Sequence, residues 1–220
     1  MGQTSNQQRK RRLEPIDRIS EVLFGLIMVL TVTCSYSVAT VDRGAVREMI
    51  VAAIGCNLAW GLIDAVFYLM ARYGEKGRGI LALEALRKTD IPDEAKRIIA
   101  DTLHPLLASV LTLAEFEQIH QRLNNIPEPP KRPHLSKEDL LGAVSVFLLV
   151  FLSTFPVLIP LLLVGRAGLA LRISNGIAIL MLFLTGYALG RYSGRSQWLT
   201  GLVMVLVGCV LVGACIALGG

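Results

Sequence analysis

The chain has 220 residues, 53% of them hydrophobic and only 18% charged, with a mean hydropathy of +0.57 and a formal charge of +5. Charge this sparse, confined to gaps between apolar blocks, excludes an ordinary water-soluble globule and describes a chain whose solvent is the bilayer. The basic excess does not make a nucleic-acid binder, because no aromatic-interleaved basic patch or binding motif accompanies it.

Residues 1–18 are polar and basic, with Arg9, Lys10, Arg11, Arg12 and Arg18, and read as a disordered tail. Asn6 stands where a myristoylation signal wants Ser or Thr. The first apolar block, residues 22–41, is long enough to span the hydrocarbon core. It also exceeds a secretory h-region, so it is read as a retained helix in spite of the small-residue pair Ser37 and Ala39. A short loop, 42–47, leads into a second block, 48–71, and two helices joined so tightly form an antiparallel hairpin within the segment 19–72.

Residues 73–138 form a polar insert with three short predicted helices, 79–88, 92–103 and 113–124. Pro92 suits the first turn of the second, and Thr112 with Glu115 frames a capping box before the third. Ile98, Ile99 and Leu103 share one face, and Leu113, Phe116, Ile119 and Leu123 another, fit for a small bundle or for the membrane surface. Pro127, Pro129, Pro130 and Pro133 make a stiff linker.

The segment 139–220 holds three more apolar blocks. Ser136 to Asp139 signals the start of a third membrane helix over 140–164, in which Pro156 and Pro160 each remove a backbone donor and predict a kink or break. The fourth and fifth helices cover 173–191 and 199–218. The fold class is therefore an all-α integral membrane protein, with five transmembrane helices and a helical cytosolic insert between helices 2 and 3. Of 22 Lys and Arg, eighteen lie on the side of the N-terminus and the insert; Arg43, Arg47, Arg166 and Arg172 lie on the other. That bias predicts a multi-pass topology with a cytoplasmic N-terminus and a C-terminus on the opposite side. Cys209, Gly213 and Ala217 repeat at four-residue steps on the fifth helix, which allows close approach of a neighbour within the bundle or across a dimer. Cys34, Cys56, Cys209 and Cys215 show no CxxC spacing and no disulfide framework.

The polar interruptions inside the blocks are the candidate transport residues. Asn57, Gly61 and Asp64 fall on one stripe of the second helix, and a carboxylate at membrane depth should face protein or water rather than lipid. Asp64 reads either as a cation ligand or proton acceptor, or as an interface residue that pairs with Arg72 or Arg18. Met28, Asn175 and Tyr187 are possible companions in the pathway; Asp17 and Glu21 read as solvated or paired charges where the first helix leaves the cytosol. In the insert, Glu84, Glu94, Glu115, Glu117, His104 and His120 invite a regulatory metal, without the HxxE or ExxH spacing that would specify one. Nucleophile elbow, Walker A loop, HExxH and dinucleotide fingerprint are all missing, so the chain does not read as an enzyme.

With the spans placed, Phe155-Pro-Val-Leu-Ile-Pro160, Phe183-Leu-Thr-Gly-Tyr187, Gly190-Arg191, Ser193-Gly194 and Glu21-Val-Leu-Phe-Gly25 resemble segments of the vacuolar iron transporter family. The resemblance implies a homodimer in the lipid bilayer that exports Fe2+ or Mn2+ from the cytosol, commonly in exchange for protons. It implies no resident cofactor beyond the transported or regulatory ion. The family's first-helix Asp-Gly pair falls on Met28-Val29, and its second-helix Met and Glu fall near Leu58 and Leu62. Leucines offer a divalent cation nothing, so the resemblance carries the fold further than the substrate. A non-transporting scaffold of the same architecture is the alternative.

Overall fold

Eight helices and no strand occupy the residues described by the computed structural model, which are 15–37, 43–89, 91–103, 105–125 and 132–217. They are α1 (Pro15–Ser37), α2 (Arg43–Lys88), α3 (Pro92–Thr102), α4 (Pro105–Val110), α5 (Leu113–Asn124), α6 (Lys137–Leu163), α7 (Ala167–Tyr192) and α8 (Gln197–Ala217). The first fourteen residues, Pro127, Pro129, Pro130 and His104 lie outside the described residues. Among the described residues, α2, α6, α7 and α8 contain four stretches long and apolar enough to cross a membrane. Leu58, Leu62 and Phe67 on α2, Leu152 and Leu162 on α6, and Leu202, Leu206 and Val210 on α8 are exposed. Apolar surface on that scale suits lipid rather than water. The protein is an integral, multi-pass membrane protein.

Several boundaries differ from the sequence expectation, each for a local reason. The expected loop over 42–47 is mostly helix, since α2 already begins at Arg43. The separate helix expected over 79–88 is the end of the same α2, which runs unbroken through Gly74, Gly77 and Gly79. Glycine lowers helix stability by about 1 kcal/mol but does not force a chain reversal, and Arg72 paired with Glu75 one turn on supports the helix there. α6 likewise runs through Pro156 and Pro160 without a break. Nearby, Ser174 Oγ of α7 donates to the Val157 carbonyl at 2.6 Å, the kind of neighbouring partner that lets a membrane helix tolerate proline. α7 starts six residues before the expected Ile173, so only a short link separates it from α6. The short helix α4 was not expected.

The chain divides into two compact units, Met1–Tyr68 with Lys137–Gly220, and Leu69–Ser136. In the first, α1 packs against α6, α7 and α8, and α7 packs along α8. Lipid tails are as apolar as leucine, so these helices associate by close packing and hydrogen bonds rather than by exclusion from water. Glycine provides the closeness. A Cβ on Gly186 of α7 would fall 2.5 Å from Met204 Cβ and 2.9 Å from the Gly201 Cα of α8, and one on Gly208 would fall 2.7 Å from Leu182. The α8 stripe buried inside the chain is thus Gly201, Gly208 and Val212. The expected stripe of Cys209, Gly213 and Ala217 is exposed, and a Cβ on Gly213 meets nothing within 4 Å.

In the second unit, Leu86 at the end of α2, Ala95 and Ile99 of α3 and Phe116 of α5 form a small core. Ile98, Leu103, Ile119 and Leu123 pack against it as their spacing predicts, whereas Leu113 is exposed. Leu113 is the first residue after the cap, where the helix has not yet turned its apolar face inward. The capping box forms: Thr112 Oγ1 accepts from Glu115 N–H, and the Glu115 carboxylate accepts from Thr112 N–H at 2.7 Å. Lys96 Nζ sits 5.7 Å from the Phe116 ring centroid.

Two outcomes follow. Gly186→Val should destabilise the protein by about 1–3 kcal/mol, because the atoms it meets are largely backbone and Cβ and cannot swing aside. Gly213→Ala should be neutral or slightly stabilising, and thermal unfolding in detergent compares the two. The backbone and then the side-chain hydrogen bonds from Thr112 hold the Glu115 carboxyl below its ordinary value. The cap is therefore complete above the ordinary carboxylate range and is lost as pH falls through the lowered native value. Hydrogen exchange of the first turn of α5 should accelerate over that acidic window, and Thr112→Ala should raise it already at neutral pH.

Candidate functional site

On α2, Met49, Ala53, Asn57 and Gly61 are the buried positions of the first unit, a run of four-residue steps that turns one narrow stripe inward. Asn57 is fully buried. Its amide reaches two other helices, donating to the Gly25 carbonyl of α1 at 3.1 Å and to Thr154 Oγ1 of α6. The carbonyl of Gly25 can only accept, so the amide nitrogen must be the atom that faces it. Gly25 permits the contact. A Cβ there would lie 2.2 Å from Ser153 Oγ and 2.7 Å from the Val150 carbonyl, so α1 and α6 meet almost backbone to backbone. Asn57 Oδ1 is left buried with no hydrogen-bond partner.

Asp64 lies two turns further along α2, half-buried, and its Oδ2 is buried without a hydrogen-bond partner. No ion pair of Asp64 occurs among the described residues, and Arg72 pairs with Glu75. Its electrostatic neighbour is another acid. Glu21, one turn before Gly25 on α1, feels the charges of Asp64 and of Asp17. Glu21 was read from sequence as a solvated or paired interface charge, and in the structure it is half-buried. The signal was available, because Asp17, Glu21 and Gly25 repeat at the same four-residue step that singled out the α2 stripe.

Further along α1, Thr33 Oγ1 shares its proton between the Leu30 carbonyl and Asn175 Oδ1 of α7, each at 3.2 Å. Polar groups on α1 thus recur from Glu21 through Gly25 to Thr33, a rise of about 18 Å. Of the remaining candidates, Met28 is half-buried on α1, and Gly61 is a packing position whose Cβ would lie 3.2 Å from Phe147. Tyr187 stands apart from the seam, in an aromatic group with Phe183 and Trp198. Leu58 and Leu62 are 47% and 62% exposed, off the buried stripe.

The insert residues are dispersed. Glu94 accepts from Thr89 Oγ1 at 2.7 Å, Glu115 is taken up by its cap, and His120 Nε2 donates to the Leu86 carbonyl at 3.2 Å. Glu84 is half-buried and Glu117 exposed. Among the described residues, no three His, Cys, Asp or Glu side chains gather into a metal-sized group.

The Asn57 node can be tested by stability alone. Interhelical hydrogen bonds in membranes contribute about 0.6 kcal/mol on average and up to about 1.7. Asn57→Leu should destabilise the protein within that range, or beyond it if leucine overfills the site. Thr154→Val should cost less singly and almost nothing in the Asn57→Leu background, a non-additivity read by a double-mutant cycle of unfolding in detergent.

Comparison with known proteins adds the last element. No curated protein matches the chain. A family-level comparison matches residues 82–220, which covers the insert and α6 to α8 and stops short of the segments carrying Glu21, Asn57 and Asp64. That match extends over more than half of the chain, and the chain accordingly belongs to the VIT family, the vacuolar iron transporters.

Proposed function

We propose that this protein moves a divalent metal cation, Fe2+ or Mn2+, across the membrane, with Glu21 and Asp64 forming the acidic step of its path. Family membership implies a membrane metal-ion transporter. The residue assignment is supported by a buried Asp64 oxygen that makes no hydrogen bond, and by the half-buried Glu21 on α1, the helix that Asn57 of α2 contacts one turn on at Gly25. Two carboxylates held together in a poorly solvated site repel, and either a proton or a divalent cation relieves that repulsion. The same pair therefore binds metal or protons competitively, which is the requirement for proton-coupled exchange. Hard oxygen donors suit manganous and ferrous ions, and the Met28 thioether adds a softer donor on the same helix. Asn57 and the Thr33–Asn175 pair supply polar groups beyond the acids.

In this reading α1 is the fifth span, completing a five-helix topology with the N-terminus and the insert cytosolic and the C-terminus opposite. The outward stripe of Cys209, Gly213 and Ala217 is the contact between two copies, since small residues let membrane helices approach closely.

The rival reading, a scaffold that kept the architecture, is favoured by one observation. The positions carried over from the family's second-helix ligands, Leu58 and Leu62, hold no donor atoms. Metal flux into proteoliposomes, followed with an encapsulated metal-sensitive dye under an imposed proton gradient, separates the two. Wild type should carry Mn2+ or Fe2+, and Asp64→Asn and Glu21→Gln should each lower the rate by about tenfold or more, the worth of about 1.4 kcal/mol in the rate-limiting step. Tyr187→Phe, away from the seam, should leave it within about twofold. A wild-type protein that reconstitutes folded and carries neither metal sinks the transporter reading.

A further inference from the structure

Beside the polar seam, and independent of whether metal is moved, a groove of about 310 Å³ opens on the surface of the first unit. Its walls come from three helices: Ile19 and Val22 of α1, Leu149 of α6, and Met181, Leu184 and Ala188 of α7. From Met181 to Ala188 the groove follows about 10 Å of α7, at 1.5 Å of rise per residue. Thr185, which also lines it, spends its hydroxyl proton on its own helix, at 3.0 Å from the Met181 carbonyl and 2.8 Å from that of Leu182. The walls are therefore apolar in chemistry as well as in composition.

One charged residue lines this groove, Arg18, whose aliphatic stem joins the apolar wall and whose guanidinium ends outside it. Arg18 is exposed, and no carboxylate pairs with it among the described residues. One turn beyond Ala188 on the same face of α7 comes Arg191, also exposed. The acids of this region lie on the neighbouring face of α1: Asp17 and Glu21 form one four-residue step, and Arg18 and Val22 form the next. α1 thus turns its carboxylates toward Asp64 and its arginine toward the groove. An apolar slot that takes part of an acyl chain, with an arginine among its lining residues, has the chemistry of a phospholipid site. Arginine's planar fork fits a phosphate, and an uncompensated cation at the membrane surface selects lipids with net negative charge.

We infer that this groove is a binding site for one anionic phospholipid, its acyl chain lying along Ile19, Leu149 and Leu184 and its phosphate held by Arg18, with Arg191 close by. A lipid there ties α1 to α6 and α7.

The test is native mass spectrometry of the full chain released from bilayer nanodiscs containing equal amounts of phosphatidylglycerol and phosphatidylcholine of the same acyl chains. Wild type should retain phosphatidylglycerol in about tenfold excess, at one molecule per chain. Arg18→Gln should abolish the preference. Ala188→Phe, which fills the slot and leaves every charge in place, should abolish retention of the molecule itself. Arg195→Gln removes the same charge outside the groove and should change neither. Equal retention of the two lipids by wild type overturns the site. So does a loss in Arg195→Gln as large as in Arg18→Gln, which would mean diffuse surface charge. An Ala188→Phe variant that loses dimers while keeping the lipid would assign the groove to a second copy and overturn it as well.

Discussion

Hydrocarbon offers no hydrogen bonds, and the placement of one side-chain amide under that constraint organises the first unit. Asn57 cannot be left to lipid, so it must meet acceptors from other helices, and the acceptors it meets are the Gly25 carbonyl and the Thr154 hydroxyl. A helix carbonyl is normally screened by its own side chains. It is reachable here because Gly25 carries none and because α6 comes within backbone distance at Val150 and Ser153. The hydrogen bond and the close packing therefore depend on each other. A larger residue at 25 would push α6 away and strip the amide of its partners in the same movement.

The same economy of side chains recurs along α7 and α8, where Gly186, Gly190, Gly201 and Gly208 each leave room for the other helix. These contacts use the faces directed inward and leave Cys209 and Gly213 outward. In water such glycines would weaken their helices by about 1 kcal/mol each. In a bilayer the penalty is offset by van der Waals contact that bulkier residues would prevent, because lipid gives two apolar helices little other reason to associate.

Much of this was legible in the sequence. Each apolar block lies on a helix, although α2 runs far beyond its block and α7 starts six residues early, and Thr112 with Glu115 fixed the start of α5 outright. What failed were negative judgements about helix interiors. Three glycines after Tyr73 looked like the start of a new element, and two prolines in α6 looked like a break, yet both helices continue. Local propensity is a weak prior when neighbouring helices and an i,i+3 ion pair support the turn. Asn57 and Asp64 were conspicuous in the sequence because they interrupt an apolar run. Glu21 was not, because a carboxylate at the edge of an apolar block looks the same whether it faces water or another acid. That distinction is set by the partner helix, and a single chain pattern does not encode which face of α1 meets α2.

The division of labour at the start of α1 follows from helix geometry. Adjacent residues are turned about 100° apart, so Asp17 and Arg18 serve different neighbours although they are consecutive. Had the two charges shared a face, each would have neutralised the other, and α1 would present neither an acidic step to Asp64 nor a cation to the apolar groove. Separating them leaves Arg18 without a carboxylate partner among the described residues, and an under-compensated charge at the edge of a membrane attracts an ion or a headgroup. The proposed acidic step and the proposed lipid site share one helix: a lipid that restrained the rotation of α1 about its axis would also set how closely Glu21 approaches Asp64. Metal affinity at a carboxylate pair depends steeply on that approach, since both oxygens must reach the same ion. The proposed lipid site and the proposed cation step meet at α1, where a single helical turn separates Glu21 from the glycine on which Asn57 is anchored.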